Sequence, residues 1–346
     1  MAKDVGEIFN LSGPFHLTSV DWGNPDHIRS ILASFIQGVK IQQRNRKKGL
    51  EPHEFPASPW WTTFNFKLVD SLVDTDDNSI FGAIYELESL TCNAPKYVVA
   101  FRGTLLKKGT VLRDLKLDLN CVLNNLHKTS RFELAMRAVQ NIVSRAGGAT
   151  DVWLTGYSLG SAIALLAGKE MVKIGHPIRT YLFNPPFLSA GIERIINNDV
   201  LKQGIHFTIS LLKAGLAIAM KGTSNPDEDF VRLSSWTPNL FVNRADLICC
   251  PYIAHFKVLK KLNDIGARTI GRLATRNSIR GLFSSATGND DRGPLHLIPS
   301  AIVTTNLADF PNPLSAHGIK QWWDPSFHGI SYKEVTDSHY VRLQSM

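Results

Sequence analysis

Apolar residues recur along this chain in two rhythms. Between His27 and Gln43 the residues Ile28, Ile31, Leu32, Phe35, Ile36 and Val39 return at helical spacing, which predicts a helix there. The stretch from Gly49 to Pro59 is polar and proline-containing and reads as a loop. Phe64 to Val73 and Ser79 to Leu87 then read as two strands flanking Asp74-Thr75-Asp76-Asp77-Asn78, the signature of a hairpin. Tyr97 to Phe101 is a short, wholly apolar run that stops at Arg102-Gly103-Thr104, as a buried strand does.

From there helices and strands alternate. A helix is predicted over Arg131 to Arg145, with Ser130 and Glu133 at capping-box spacing and Gly147-Gly148 stopping it. A strand at Val152 to Thr155 leads through Gly156-Tyr157-Ser158-Leu159-Gly160 into a helix from Ser161 to Ile174, closed by Gly175-His176-Pro177. Thr180 to Phe183 and Asn239 to Asn243 are further strands. This alternation predicts an α/β architecture, a mostly parallel sheet with helices on both faces. Residues 1–346 are read as one domain, with 1–59 an N-terminal helical extension within it. Residues 188–236 form a long insertion whose apolar run, Ile205 to Met220, suits a lid or acyl-binding wall as well as a buried core helix.

Composition narrows the class without naming a chemistry. The 346 residues are 44% hydrophobic and 20% charged, as in an ordinary globular protein with a large core. The net charge is +8 and the pI about 9.3, which would favour anionic partners. The densest basic cluster, Arg44, Arg46, Lys47 and Lys48, reads as a solvated helix end suited to the helix dipole, with peripheral contact to an anionic membrane or a targeting signal as the alternatives. No nucleic-acid motif accompanies it. The four cysteines, Cys92, Cys121, Cys249 and Cys250, form neither a CxxC pair nor a disulfide framework. The N-terminus lacks the pattern of a signal peptide, and the run from Phe207 to Met220 is shorter than the ~20 residues needed to span a bilayer. A cytoplasmic protein is the expectation.

The chemistry concentrates at Ser158. A GxSxG pentapeptide between an apolar strand and an apolar helix makes a sharp turn that holds the serine strained and exposed. Small residues two positions either side, Gly156 and Gly160, let strand and helix pass closely. The Leu159 amide falls at a helix N-terminus, where it can donate to an oxyanion. A serine hydroxyl needs a base, and the base needs an orienting carboxylate. In the α/β-hydrolase fold these follow in the order Ser, Asp or Glu, His. Asp246 comes directly after the strand Asn239 to Asn243, hence at the same sheet edge as Ser158; the alternative is a loop aspartate paired with Arg244. Asp227 and Asp229 lie in a polar loop and read as solvated. For the base the residues leave His255, His296, His317, His328 and His339 open. Among them His317, in a loop beside Gly318 and ahead of Trp322 and Trp323, best suits a side chain projecting over the sheet edge.

These segments resemble a known family. Val98-Val99-Ala100-Phe101-Arg102-Gly103-Thr104 is similar to the FRG[ST] segment of the class 3, fungal-type lipases, and GYSLG is similar to their GHSLG. The order FRGT, elbow, strand-Asp, late His is also theirs. Nearly the whole chain resembles a plant group of class 3 lipase-like proteins ending in AHGIxQWW, sometimes labelled GDSL esterase/lipase, although no GDSL occurs here. Tyr157 stands where that family has histidine, and Ser161 where glycine is common. The resemblance implies an oxyanion hole of Thr104 and Leu159, a structural role for His296 and the catalytic role for His317.

The expectation is therefore a serine esterase or lipase that needs no cofactor or metal. It would cleave carboxylic esters, acyl lipids foremost, through Ser158, Asp246 and His317. The competing readings are an acyltransferase and a binding protein built on the same fold.

Overall fold

A computed structural model describes residues 5–55, 58–89, 91–105, 119, 122–123, 125–187, 228–264 and 298–335. Eight strands form one sheet in strictly sequential order: β1 (Phe66–Val73), β2 (Ile80–Leu87), β3 (Tyr97–Phe101), β4 (Val152–Tyr157), β5 (Arg179–Phe183), β6 (Asn239–Asn243), β7 (Ser300–Asn306) and β8 (Gly329–Val335). Strands β3 to β7 are parallel; β1, β2 and β8 add antiparallel pairings at the two edges.

A sequential order has a consequence for the helices. Parallel strands joined by right-handed crossovers, each stepping the same way, place every crossover helix on one face. That face packs α2 (Ser130–Ala146), α3 (Leu159–Lys173) and α5 (Pro251–Asp264) over Val99, Phe101, Leu154, Leu182, Leu240 and Val303. A shorter α4 (Glu228–Ser235) leads into Trp236, whose indole N–H donates to the Ile178 carbonyl at 2.9 Å. The opposite face therefore needs a separate cover. It is provided by α1 (Pro25–Lys47), which buries Ile31, Leu32, Phe35, Ile36 and Val39 against Val98, Ala100, Trp153, Tyr181, Phe183 and Phe241. Successive strand residues alternate between the two clusters, as the pleat requires.

Local chemistry fixes the boundaries. Asn24 caps α1 by accepting from the Asp26 amide, with Pro25 in the first helical position. The cap of α2 is Thr129 rather than Ser130: its hydroxyl accepts from the Phe132 amide at 3.2 Å. Ser130 instead donates to Asp74 in the hairpin turn, so tertiary contact overrides the capping-box spacing. Gly147, at φ 75°, ends that helix in the left-handed conformation. The basic end of α1 is only partly solvated, because Arg44 and Lys48 close on the buried Glu7 at 2.7 and 3.0 Å. Among the described residues no helix is long and apolar enough to cross a membrane. The apolar run 205–220, Asp227, His296, His339 and Cys121 lie outside the described residues.

One core histidine gives a pH test. His255 on α5 is buried with its ring 5.6 Å from that of Phe187 and 5.1 Å from that of Phe256. Burial holds its pKa down at about 4, from the ordinary 6.5, with the Ile298 backbone opposing the shift. In the window from 6.5 down to about 4 the unfolded chain binds this proton and the folded chain does not. Its contribution is thus intact above 6.5 and is lost as pH falls, by about 3 kcal/mol at most. His255→Leu should flatten the pH dependence of urea unfolding free energy between pH 6.5 and 4.5. An unchanged slope would remove His255 from the acid sensitivity of the fold.

Candidate active site

The site lies at the carboxyl ends of β4, β6 and β7, and its geometry starts at Ser158. This residue follows β4 and precedes α3 with φ 53° and ψ −122°, a region that a side chain occupies only under strain. The strain is held in place by close passage of the backbone. A Cβ on Gly156 would stand 2.2 Å from the Gly160 carbonyl oxygen, and a Cβ on Gly160 would stand 2.2 Å from the Phe101 oxygen. The Ser158 amide donates to the Phe183 carbonyl at 3.0 Å, and the Ser161 hydroxyl donates to the Ser158 carbonyl at 2.6 Å. Where a glycine is common at position 161, serine here uses its hydroxyl to brace the turn.

Three of the residues singled out in the sequence meet here. The His317 Nε2 lies 2.9 Å from Ser158 Oγ, and its Nδ1 lies 2.8 Å from Asp246 Oδ2. All three side chains are buried, at 3%, 2% and 0% exposure for Ser158, His317 and Asp246. His317 caps a short helical turn, Pro313–Ala316, begun by the Asn312 side chain accepting from the Ser315 amide. Arg244 does not hold Asp246; it pairs with Asp309 at 2.6 Å. His255 lies in the aromatic core and His328 is exposed.

Asp246 sits in a dense set of donors. Its Oδ1 accepts from the Ile248 amide at 2.9 Å. Its Oδ2 accepts from Asn184 Nδ2 at 2.8 Å and from the Cys249 thiol at 3.0 Å, besides facing His317. Burial pushes its pKa up. The charge of His317 and the hydrogen bonds from His317, Cys249 and Asn184 outweigh that and hold it below the ordinary carboxylate value. Burial and the Asp246 charge push the Cys249 pKa well up, so its sulfur remains a thiol and a donor.

The exit of β3 passes beside the serine. A Cβ on Gly103 would stand 3.0 Å from the Ser158 Cβ. The Gly103 carbonyl accepts from the buried Arg102 at 2.8 Å, and Arg102 is itself anchored by the Ile80 carbonyl at 2.6 Å and the Ser79 hydroxyl at 3.2 Å. A trans peptide carries its C=O and N–H on opposite sides. Arg102 therefore turns the Thr104 N–H to the side opposite the guanidinium. Leu159, at the first position of α3, has an amide with no acceptor inside the helix. Such a pair of amides can stabilise an oxyanion, and the relay from Ser158 to Asp246 can deliver and remove a proton.

A mostly parallel sheet with both faces covered, carrying a strained serine on the turn after β4, is an α/β-hydrolase fold. No family model matches the chain. A GDSL esterase/lipase of Arabidopsis thaliana is 41% identical to it over 335 residues, which cover 91% of this chain and 94% of that protein. This chain belongs to that esterase/lipase family. In this chain the serine stands in GYSLG, not in a GDSL tetrapeptide. Solved structures with a coarse likeness include a lipase from Rhizopus microsporus var. chinensis, with TM-score 0.33, 14% identity, and 66% and 70% of the two chains covered. Carboxyl esterase 2 from Tuber melanosporum has TM-score 0.31 and 14% identity, with 57% and 73% covered.

Sequence reasoning did not reach the groups that steady this esterase/lipase's site. They are Asn184, Asn243, Asn306, Gln321, the Tyr157 hydroxyl, which donates to the His317 carbonyl, and Cys249. An asparagine at the close of three apolar strands was the available signal.

The close passage at the turn yields an expectation. Gly160→Ala should lower the stability by about 3 kcal/mol or prevent folding, because the methyl meets backbone that cannot give way. A urea midpoint within error of the wild type would show that the strand and helix are not in fact pressed together there.

Proposed function

We propose that this protein is a serine carboxylic-ester hydrolase of the class 3 lipase type, acting on acyl lipids or related esters through an acyl-enzyme. The observation that carries the reading is the unbroken hydrogen-bond path Ser158–His317–Asp246, at 2.9 and 2.8 Å, on a strained turn. Ser158 Oγ attacks the ester carbonyl while His317 Nε2 takes its proton. Asp246 keeps the Nδ1 proton directed at itself and stabilises the imidazolium. The negative oxygen of the tetrahedral intermediate is received by the Leu159 and Thr104 amides, each worth about 3 kcal/mol in the transition state. His317 then protonates the departing alcohol, leaving the acyl group on Ser158. Water attacks that ester in the second half, with His317 again as base, and the carboxylic acid leaves.

The test is covalent labelling with a fluorophosphonate, alongside turnover of p-nitrophenyl esters and glycerolipids. The wild type should label, and Ser158→Ala should not. Ser158→Ala and His317→Ala should each lose at least about 10⁴-fold in kcat, whereas His296→Ala should keep activity. Labelling that survives Ser158→Ala would exclude this serine as nucleophile. Activity lost in His296→Ala but kept in His317→Ala would move the base to position 296.

A further inference from the structure

Three neighbouring parallel strands close on an asparagine: Asn184 directly after β5, Asn243 at the end of β6 and Asn306 at the end of β7. All three side chains are buried. A buried primary amide must satisfy two N–H donors and a carbonyl, so each of these residues constrains whatever it meets. Asn243 and Asn306 both donate to Gln321 Oε1, at 2.7 and 3.0 Å. The Nε2 of Gln321 passes that anchorage to the Ala316 and Gly318 carbonyls at 2.6 and 2.8 Å, on either side of His317.

Asn184 does something different. Its Nδ2 reaches both Asp246 Oδ2, at 2.8 Å, and the Ala316 carbonyl, at 3.3 Å. Its Oδ1 accepts from the Trp322 indole N–H at 2.6 Å, and its own amide donates to the Phe241 carbonyl at 2.9 Å. One side chain thus touches the carboxylate, the backbone residue before the histidine and the aromatic anchor after it. Asn184 adopts φ 47°, a left-handed conformation that asparagine tolerates better than most residues.

We infer that Asn184 is a positioning residue that locks the Asp246 carboxylate to the His317 loop and, as a neutral donor, shares the carboxylate's charge so that it orients the imidazole without over-holding its proton. This rests on reading Ser158, His317 and Asp246 as the proton relay. Among the described residues, the other titratable groups against the pair are the Cys249 thiol on Asp246 Oδ2, the Tyr157 hydroxyl on the His317 carbonyl and Ser158 itself. With Asn184 gone, the negative charge concentrates on the oxygen facing His317. The imidazolium is then favoured, and the base becomes available only at higher pH. The loop also gains freedom, which costs transition-state geometry more than substrate binding.

The experiment uses the full chain and p-nitrophenyl butyrate. Asn184→Gly keeps a backbone free to adopt positive φ and deletes the amide; Trp322→Phe deletes the N–H that holds Asn184 Oδ1, together with part of a buried ring packed on Phe183, Phe241 and Phe327. For Asn184→Gly, kcat should fall about tenfold or more with KM within about twofold. The acid limb of its kcat/KM profile should rise by roughly half a pH unit. Trp322→Phe should move both quantities in the same direction by less, and it carries the test alone if Asn184→Gly fails to fold. A wild-type acid limb in the variants that fold overturns the role of Asn184, even where activity has dropped, because a purely structural residue would do that. A wild type that neither turns over the ester nor labels at Ser158 overturns the relay reading beneath it, a separately visible failure.

Discussion

Ser158 holds φ 53° and ψ −122° at a cost of about 1–3 kcal/mol, and the rest of the site is arranged around that strain. The conformation exists because α3 leaves β4 with almost no space between them, at Gly156, and presses on the exit of β3, at Gly160. Two results follow from one packing constraint. The serine hydroxyl is thrown toward the carboxyl edge of the sheet, where β6 and β7 deliver Asp246 and, through the loop beyond Asn306, His317. The start of α3 is meanwhile brought against the exit of β3, at the Phe101 and Arg102 carbonyls. A looser turn would lose both arrangements together.

The sheet's sequential order bears on this edge too. Because each parallel crossover steps the same way, the crossover helices crowd one face, and the other would lie open without α1. The aromatic cluster beneath α1 runs from Phe35 and Phe66 through Trp153 and Phe183 to Trp322. Arg29 of α1 donates to the Trp322 carbonyl at 2.8 Å and stacks 3.6 Å over the Phe327 ring. The N-terminal helix therefore supports the loop that carries His317, and its function is tied to the site although it is remote from it in sequence.

Periodicity made most elements legible: the helix over Ile28 to Val39, the hairpin around Asp74 to Asn78, and the alternation after Tyr97 are local patterns with local causes. The glycines at 156 and 160 were legible because only size explains them. Residue order and strand ends singled out Asp246, and the loop setting pointed to His317 among five histidines. The parts that stayed hidden are those with a distant partner. Ser130 has the spacing of a cap, yet Asp74, far away in sequence, claims its hydroxyl and leaves the cap to Thr129. The helix at 25–47 announces its apolar stripe but not which face of which sheet it covers. Asn184, Asn243 and Asn306 look like ordinary strand exits until Gln321 and Asp246 are brought to them.

The character of those hidden partners has a physical logic. For the proposed mechanism Asp246 must stay ionised in a buried place, which burial opposes, and yet its charge must remain available to an imidazolium. A lysine or arginine beside it would secure ionisation by cancelling the charge, and the stabilisation of the imidazolium would go with it. Amide, thiol and backbone N–H donors resolve the conflict, since each stabilises the anion without adding a positive charge that competes with His317. The same choice recurs in the loop, where the carbonyls of Ala316, His317 and Gly318 are held by Gln321, Asn184 and Tyr157, all of them uncharged. Among the described residues the groups that hold the Asp246 carboxylate and the 316–318 carbonyls are thus uncharged, while the charged Arg29 and Arg102 brace the site from further out, on the Trp322 and Gly103 carbonyls.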